Sequence, residues 1–185
     1  MTAFLVFLLA VAIVLCVWFF YKNKAKVTTR VLDVETCTLL DKEQMVLHYG
    51  KDFKWYETSV TTKNCFNEDG DGIESIENVF QVLIEGDPLV IVFTHTELED
   101  KVQEIHSFWV EDSPMTGIDV TYEQALEIIN KVNLPKPHSR HCVLRKQVGP
   151  KDANPQYIFG NQTMQLYLDA ITGKVTDKNP VFDEK

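Results

Sequence analysis

Asn67-Glu68-Asp69-Gly70-Asp71-Gly72-Ile73 sets side-chain oxygens at alternate positions and ends them on a glycine turn. Calcium takes oxygen ligands at such spacing, so Asn67, Asp69 and Asp71 are the candidate ligands of a calcium loop. The run departs from an EF-hand loop: Glu74 stands where a branched apolar residue is wanted, and Asn78 where a bidentate acid is wanted. A polar loop leading into a helix, its acids favoured by the helix N-terminus, is the plainer account. No cofactor other than this calcium is expected.

His138-x-x-His141-Cys142 carries the residue types of a transition-metal site. Neighbours on a strand point to opposite faces, so His141 and Cys142 share one ion only in a loop conformation. The same adjacency is the wrong geometry for a cysteine nucleophile and its base. His48, His95 and His106 stand alone and read as satisfied surface or core residues. Beyond the first thirty residues the cysteines are Cys37, Cys65 and Cys142, an odd set with no C-x-x-C motif, which points to a reducing compartment. In an oxidising one, Cys37 and Cys65 are the first pair to test. The chain has no serine nucleophile elbow, Walker loop, dinucleotide fingerprint or zinc-protease motif, and a non-enzyme is expected.

The elements that position these groups are clearest in the second half. Thr121 and Gln124 have capping-box spacing. Tyr122, Ala125, Leu126, Ile129 and Val132 then fall on one helical face, with Glu123, Glu127, Asn130 and Lys131 opposite, and Pro135 and Pro137 stop the helix. A strand is expected over His141 to Val148 and a second through Tyr157 and Phe159, turning at Gly160-Asn161. In a third, Met164, Leu166 and Leu168 alternate with Thr163, Gln165, Tyr167 and Asp169. Asp169 can bond its own backbone in a turn, with Gly173 at the strained position.

Thr121-x-Glu123-x-Ala125-x-x-Ile128, Tyr157-x-Phe159 and Asp169-Ala-Ile-Thr-Gly173-Lys-Val175 together resemble the PepSY domain. That family occurs in the propeptides of some secreted metallopeptidases and in bacterial membrane proteins. The resemblance covers roughly residues 118–177. It implies a helix on a small antiparallel sheet, a non-catalytic domain, and a partner that is a peptide or a peptidase to be bound or restrained. Thr121, Glu123, Ala125, Tyr157, Asp169 and Gly173 are its structural residues, each with a turn or packing role.

In the first half, Asp41-x-x-Gln44 could cap a short helix ending at Gly50, or Met45 to Tyr49 and Phe53 to Val60 could form a hairpin. The aromatics Tyr49, Phe53, Trp55 and Tyr56 favour the hairpin. Ile73, Ile76, Phe80, Leu83 and Ile84 make a helical stripe with Glu74, Glu77, Asn78 and Gln81 outside and Gly86 at its end. Strands follow at Leu89 to Phe93 and Val102 to Val110. The helix-strand-strand order matches the second half and suggests a degenerate unit packed edge to edge with it.

Ala3 to Phe20 is uncharged and apolar, about 27 Å of helix at 1.5 Å per residue, so residues 3–21 read as an uncleaved transmembrane anchor. Lys22, Lys24, Lys26 and Arg30 follow, and the positive-inside rule then puts the domain in the cytoplasm. The PepSY resemblance implies the opposite side. The formal charge is −9; apart from those four cations, 14 basic residues face 27 acidic ones, a balance that disfavours nucleic acid.

The expected fold class is therefore α+β: an N-terminal transmembrane helix followed by helix-on-antiparallel-sheet units. Its parts are the anchor, a basic juxtamembrane linker over 22–40, an α+β subdomain over 41–112, the PepSY-like domain over 116–177, and a polar tail over 178–185. The expected function is a membrane-anchored, non-enzymatic binding module for a protein or peptide. The alternative is a membrane protein of structural role, stabilised by calcium at 67–73.

Overall fold

In the computed structural model, residues 30–68 and 72–182 are described. The expected anchor over 3–21 lies outside them. Among the described residues no helix is long and apolar enough to cross a membrane. For the described residues the single-pass membrane reading, with its domain placed in the cytoplasm or outside it, is corrected on that finding.

The helix-on-sheet units also give way. Eight strands form one antiparallel sheet in the order β4-β3-β2-β1-β5-β6-β7-β8. They are β1 (Lys54–Thr62), β2 (Ile73–Ile84), β3 (Asp87–Thr96), β4 (Asp100–His106), β5 (His141–Arg145), β6 (Gln156–Gly160), β7 (Gln165–Asp169) and β8 (Val175–Thr176). Among the described residues the helices are α1 (Val34–Tyr49), ahead of the sheet in sequence, and α2 (Tyr122–Lys131), between β4 and β5. The β1–β5 pairing, Glu57 opposite Arg145 through Thr61 opposite His141, makes the two halves continuous.

The stripe over 73–84, expected to be a helix, is strand β2. Its residues fit both periods, since Ile76, Phe80 and Val82 also alternate, and Asn78 completes the buried row. A buried asparagine breaks the apolar alternation, which is why the strand was masked in sequence. β-branched Ile76, Val79 and Val82 favour the pleated state. Gly86 ends no helix. With Glu85 it forms a two-residue hairpin turn, both at positive φ (54° and 95°), as the twist between β2 and β3 requires.

The hairpin expected over 45–60 is half helix. Asp33 caps α1, accepting the Thr36 amide at 2.8 Å, and Gly50 at φ 84° closes it with its N–H on the Val46 carbonyl. The linker expected over 22–40 thus ends inside α1. The helix was hard to read because its buried stripe, Val34, Cys37, Thr38, Asp41 and Met45, includes two polar residues. Val181, in the expected polar tail, is 1% exposed.

Both helices cover one face of the sheet. The ladder aligns His95, Ile76, Val60, Cys142, Phe159 and Leu166 across six strands, all buried. Beside them run Phe93, Asn78, Thr58, Leu144, Tyr157 and Leu168. A bulge at Tyr56 lets Trp55 face the same core. From above, α1 contributes Val34, Cys37 and Met45, and α2 contributes Tyr122, Ala125 and Ile129.

Candidate functional site

Between α1 and the chain entering α2 the core is open. An apolar groove of about 300 Å³ has Trp55 and Leu144 of the sheet as its floor, and Val34, Leu39 and Ile118 on its walls. Lys42 lies over the Trp55 ring, its Nζ 3.8 Å from the centroid, and burial lowers the pKa of that ammonium. The two sides are tied across one end, where Glu35 accepts the Tyr122 amide at 2.6 Å, an otherwise unpaired donor of the first turn of α2. Trp55 is held from behind. Its indole N–H donates to Thr58 Oγ1 at 3.2 Å, and its carbonyl accepts the Met115 amide at 2.7 Å.

The outer face of α1 continues this apolar surface. Leu39 and Val46, like Leu40 and Leu47, lie two turns apart on adjoining stripes of that face, and the four are 59%, 43%, 50% and 73% exposed in that order. A solvated helix normally turns charged residues outward there.

On the same sheet face, under α1, lies a chain of charges. His95 is held between two carboxylates, with Nε2 2.9 Å from Asp41 Oδ2 and Nδ1 2.7 Å from Asp100 Oδ1. Arg30 forks onto Asp100 at 2.7 and 2.8 Å. Asn78 donates to Asp41 at 2.7 Å and accepts from the Thr38 and Thr58 hydroxyls. Asp41 and His95 are buried, and with Asp100 and Arg30 acidic and basic groups alternate along the chain. The hydrogen bond to Asp41 raises the His95 pKa, against desolvation, and Asp100 adds to it. The Arg30 bond holds Asp100 below the usual carboxylate range. At the far end of α1, Tyr49 donates to Glu104 of β4, which pushes its phenol up to about 12. His95 is thus a satisfied core residue, but its charged partners sit 54 residues away and 5 residues away, and only the fold joins them.

The residues singled out in sequence are placed as follows. Asp69 and Asp71 lie outside the described residues. The Asn67 carboxamide oxygen is 3.1 Å from His138 Nδ1. His141 and Cys142 do point apart: the imidazole is exposed beside Thr61, and the thiol is buried, its pKa pushed well up by desolvation. Cys37, Cys65 and Cys142 are all free. Thr121 and Gln124 form the full capping box, Glu123 stands in the first turn, and Ala125 is buried. Tyr157 donates to the Val120 carbonyl at 3.0 Å. Asp169 accepts the Ile171 and Thr172 amides at 2.9 and 2.8 Å, with Gly173 at φ 71°. Thr121, Ala125, Tyr157, Asp169 and Gly173 thus act in capping, turns and packing around α2, and Glu123 is exposed in its first turn. The side chains that sequence reasoning missed are Leu39, Lys42, Trp55 and Ile118; an exposed leucine pair on a strongly capped helix was the one available signal.

No family model matches the chain, and no curated protein does. Among solved structures, the chain is similar to the crystal structure of a "putative lipoprotein" from Clostridium difficile 630, with 13% identity and a TM-score of 0.41, over 83% of this chain and 97% of that one. A likeness that loose carries no argument about fold or function.

Proposed function

We propose that this protein is a non-enzymatic binding module that takes an apolar peptide segment of a partner protein into the groove between α1 and α2. The observation that carries the reading is the open groove over Trp55 and Leu144, continued by an exposed leucine stripe on α1. Its volume suits one large apolar side chain, and further side chains of the segment would lie along Leu40 and Leu47. Lys42 is placed to donate to a backbone carbonyl or a carboxylate of the segment at the groove edge. The PepSY resemblance of residues 118–177 supports the same class, and it makes a peptidase the partner to try first.

Selection of peptides from a displayed library, followed by titration of the winners, tests this. Leu39→Asp and Ile118→Asp introduce charge at the groove wall and are expected to weaken every selected peptide at least tenfold. Peptides that bind these variants as tightly as the parent, or a library that yields none, would remove the reading.

A further inference from the structure

We propose that Cys65, Glu68 and His138 form a transition-metal site of the zinc class, at a place distinct from the groove. One ligand atom from each lies within 4.8 Å of the other two. In a tetrahedral centre with bonds of about 2.0–2.3 Å, neighbouring ligand atoms stand about 3.5 Å apart, so small rotations of the exposed Glu68 and His138 side chains complete the set. Thiolate, imidazole and carboxylate together suit a borderline ion. Calcium and magnesium want oxygen alone.

The backbone brings the three together. The Glu68 amide donates to the Cys65 carbonyl at 2.9 Å, closing a four-residue turn that sets Cys65 and Glu68 side by side. The chain running from β1 into that turn is laced to the segment carrying His138: Thr62 N–H reaches the Arg140 carbonyl at 2.8 Å, and Phe66 N–H the Ser139 carbonyl at 2.9 Å. Phe66 anchors the turn, meeting Phe159 of the core edge-on at 5.2 Å. Asn67 accepts from His138 Nδ1, which leaves Nε2 with the free lone pair and fixes the ring, as partners of metal-bound histidines do. Cys65 and Glu68 line an open cavity of about 410 Å³ and His138 is exposed, so solvent water can fill the fourth position. The thiol gives its proton to solvent as the ion binds, and affinity rises with pH.

Cobalt(II) titrated into the chelator-treated, reduced chain reads the site directly. The expected result is one ion per chain with a thiolate-to-metal charge-transfer band. Cys65→Ser abolishes the band, and His138→Ala lowers affinity by at least about tenfold. Cys142→Ser leaves both unchanged, zinc displaces the cobalt, and excess calcium does not. A missing band, or a band that survives Cys65→Ser, overturns the site. Glu68→Gln, at an exposed position, decides the matter even where Cys65→Ser folds poorly: a tenfold loss supports the site and unchanged affinity overturns it.

Discussion

His95 shows how one side chain joins sequence, packing and pH. Its imidazole sits between Asp41 and Asp100, and its folded pKa lies above the unfolded value of 6.5. A raised pKa means the folded chain holds the proton more tightly. The resulting stability is complete below the unfolded value and is lost as pH rises through the folded one. Asp100, with a depressed pKa, behaves oppositely: its part is present above 3.8 and is lost as pH falls through its folded pKa. The chain is therefore expected to be most stable between those two limits. Urea unfolding at mildly acidic and alkaline pH checks it, and His95→Gln flattens the alkaline side of the profile. A parent whose stability does not fall on the alkaline side would contradict the charge chain. Asp41→Ala leaves His95 Nε2 and the Asn78 amide N–H without their partner under α1, and is expected to cost about 3–5 kcal/mol.

At the scale of elements, the second half was legible and the first was not, for a physical reason in each case. The α2 pattern had one apolar face, a capping box and two prolines, and the structure has that helix with that box. The turn at Asp169 and Gly173 depended on local chemistry alone, which sequence carries in full. β2 and α1 instead bury polar residues that pair with each other, Asn78 with Asp41, so each hid the periodicity of the other. A pair of substitutions distinguishes the strand from the helical stripe. Both Phe80 and Leu83 belong to the stripe, but only Phe80 is buried, and Leu83 is 53% exposed. Phe80→Ala is expected to cost about 3–5 kcal/mol and Leu83→Ala no more than about 0.5 kcal/mol. Equal losses in thermal or denaturant unfolding would restore the helix. The groove was illegible because Trp55, Lys42 and Ile118 come from a strand, a helix and a loop far apart in sequence, and the metal cluster because His138 lies far along the chain from Cys65 and Glu68.

At the scale of the whole molecule, the sheet runs without a break through β1 and β5, and one apolar cluster joins Phe80 and Ile91 of the first half to Tyr157 and Leu168 of the second. Such a structure is expected to unfold in one cooperative step, with calorimetric and van't Hoff enthalpies equal, and a fragment ending at residue 112 should not fold alone. Two separated transitions would contradict this. The groove follows from the same architecture, since it is the place where α1 and the approach to α2 leave that shared core uncovered. Indole N–H resonances test the central claim most directly. Trp55 floors the groove, whereas Trp109 is exposed elsewhere, after β4. With the Trp55 signal assigned through Trp55→Phe, a bound apolar peptide is predicted to shift that resonance progressively to saturation and to leave Trp109 in place. Binding that leaves the Trp55 resonance unmoved would contradict the account.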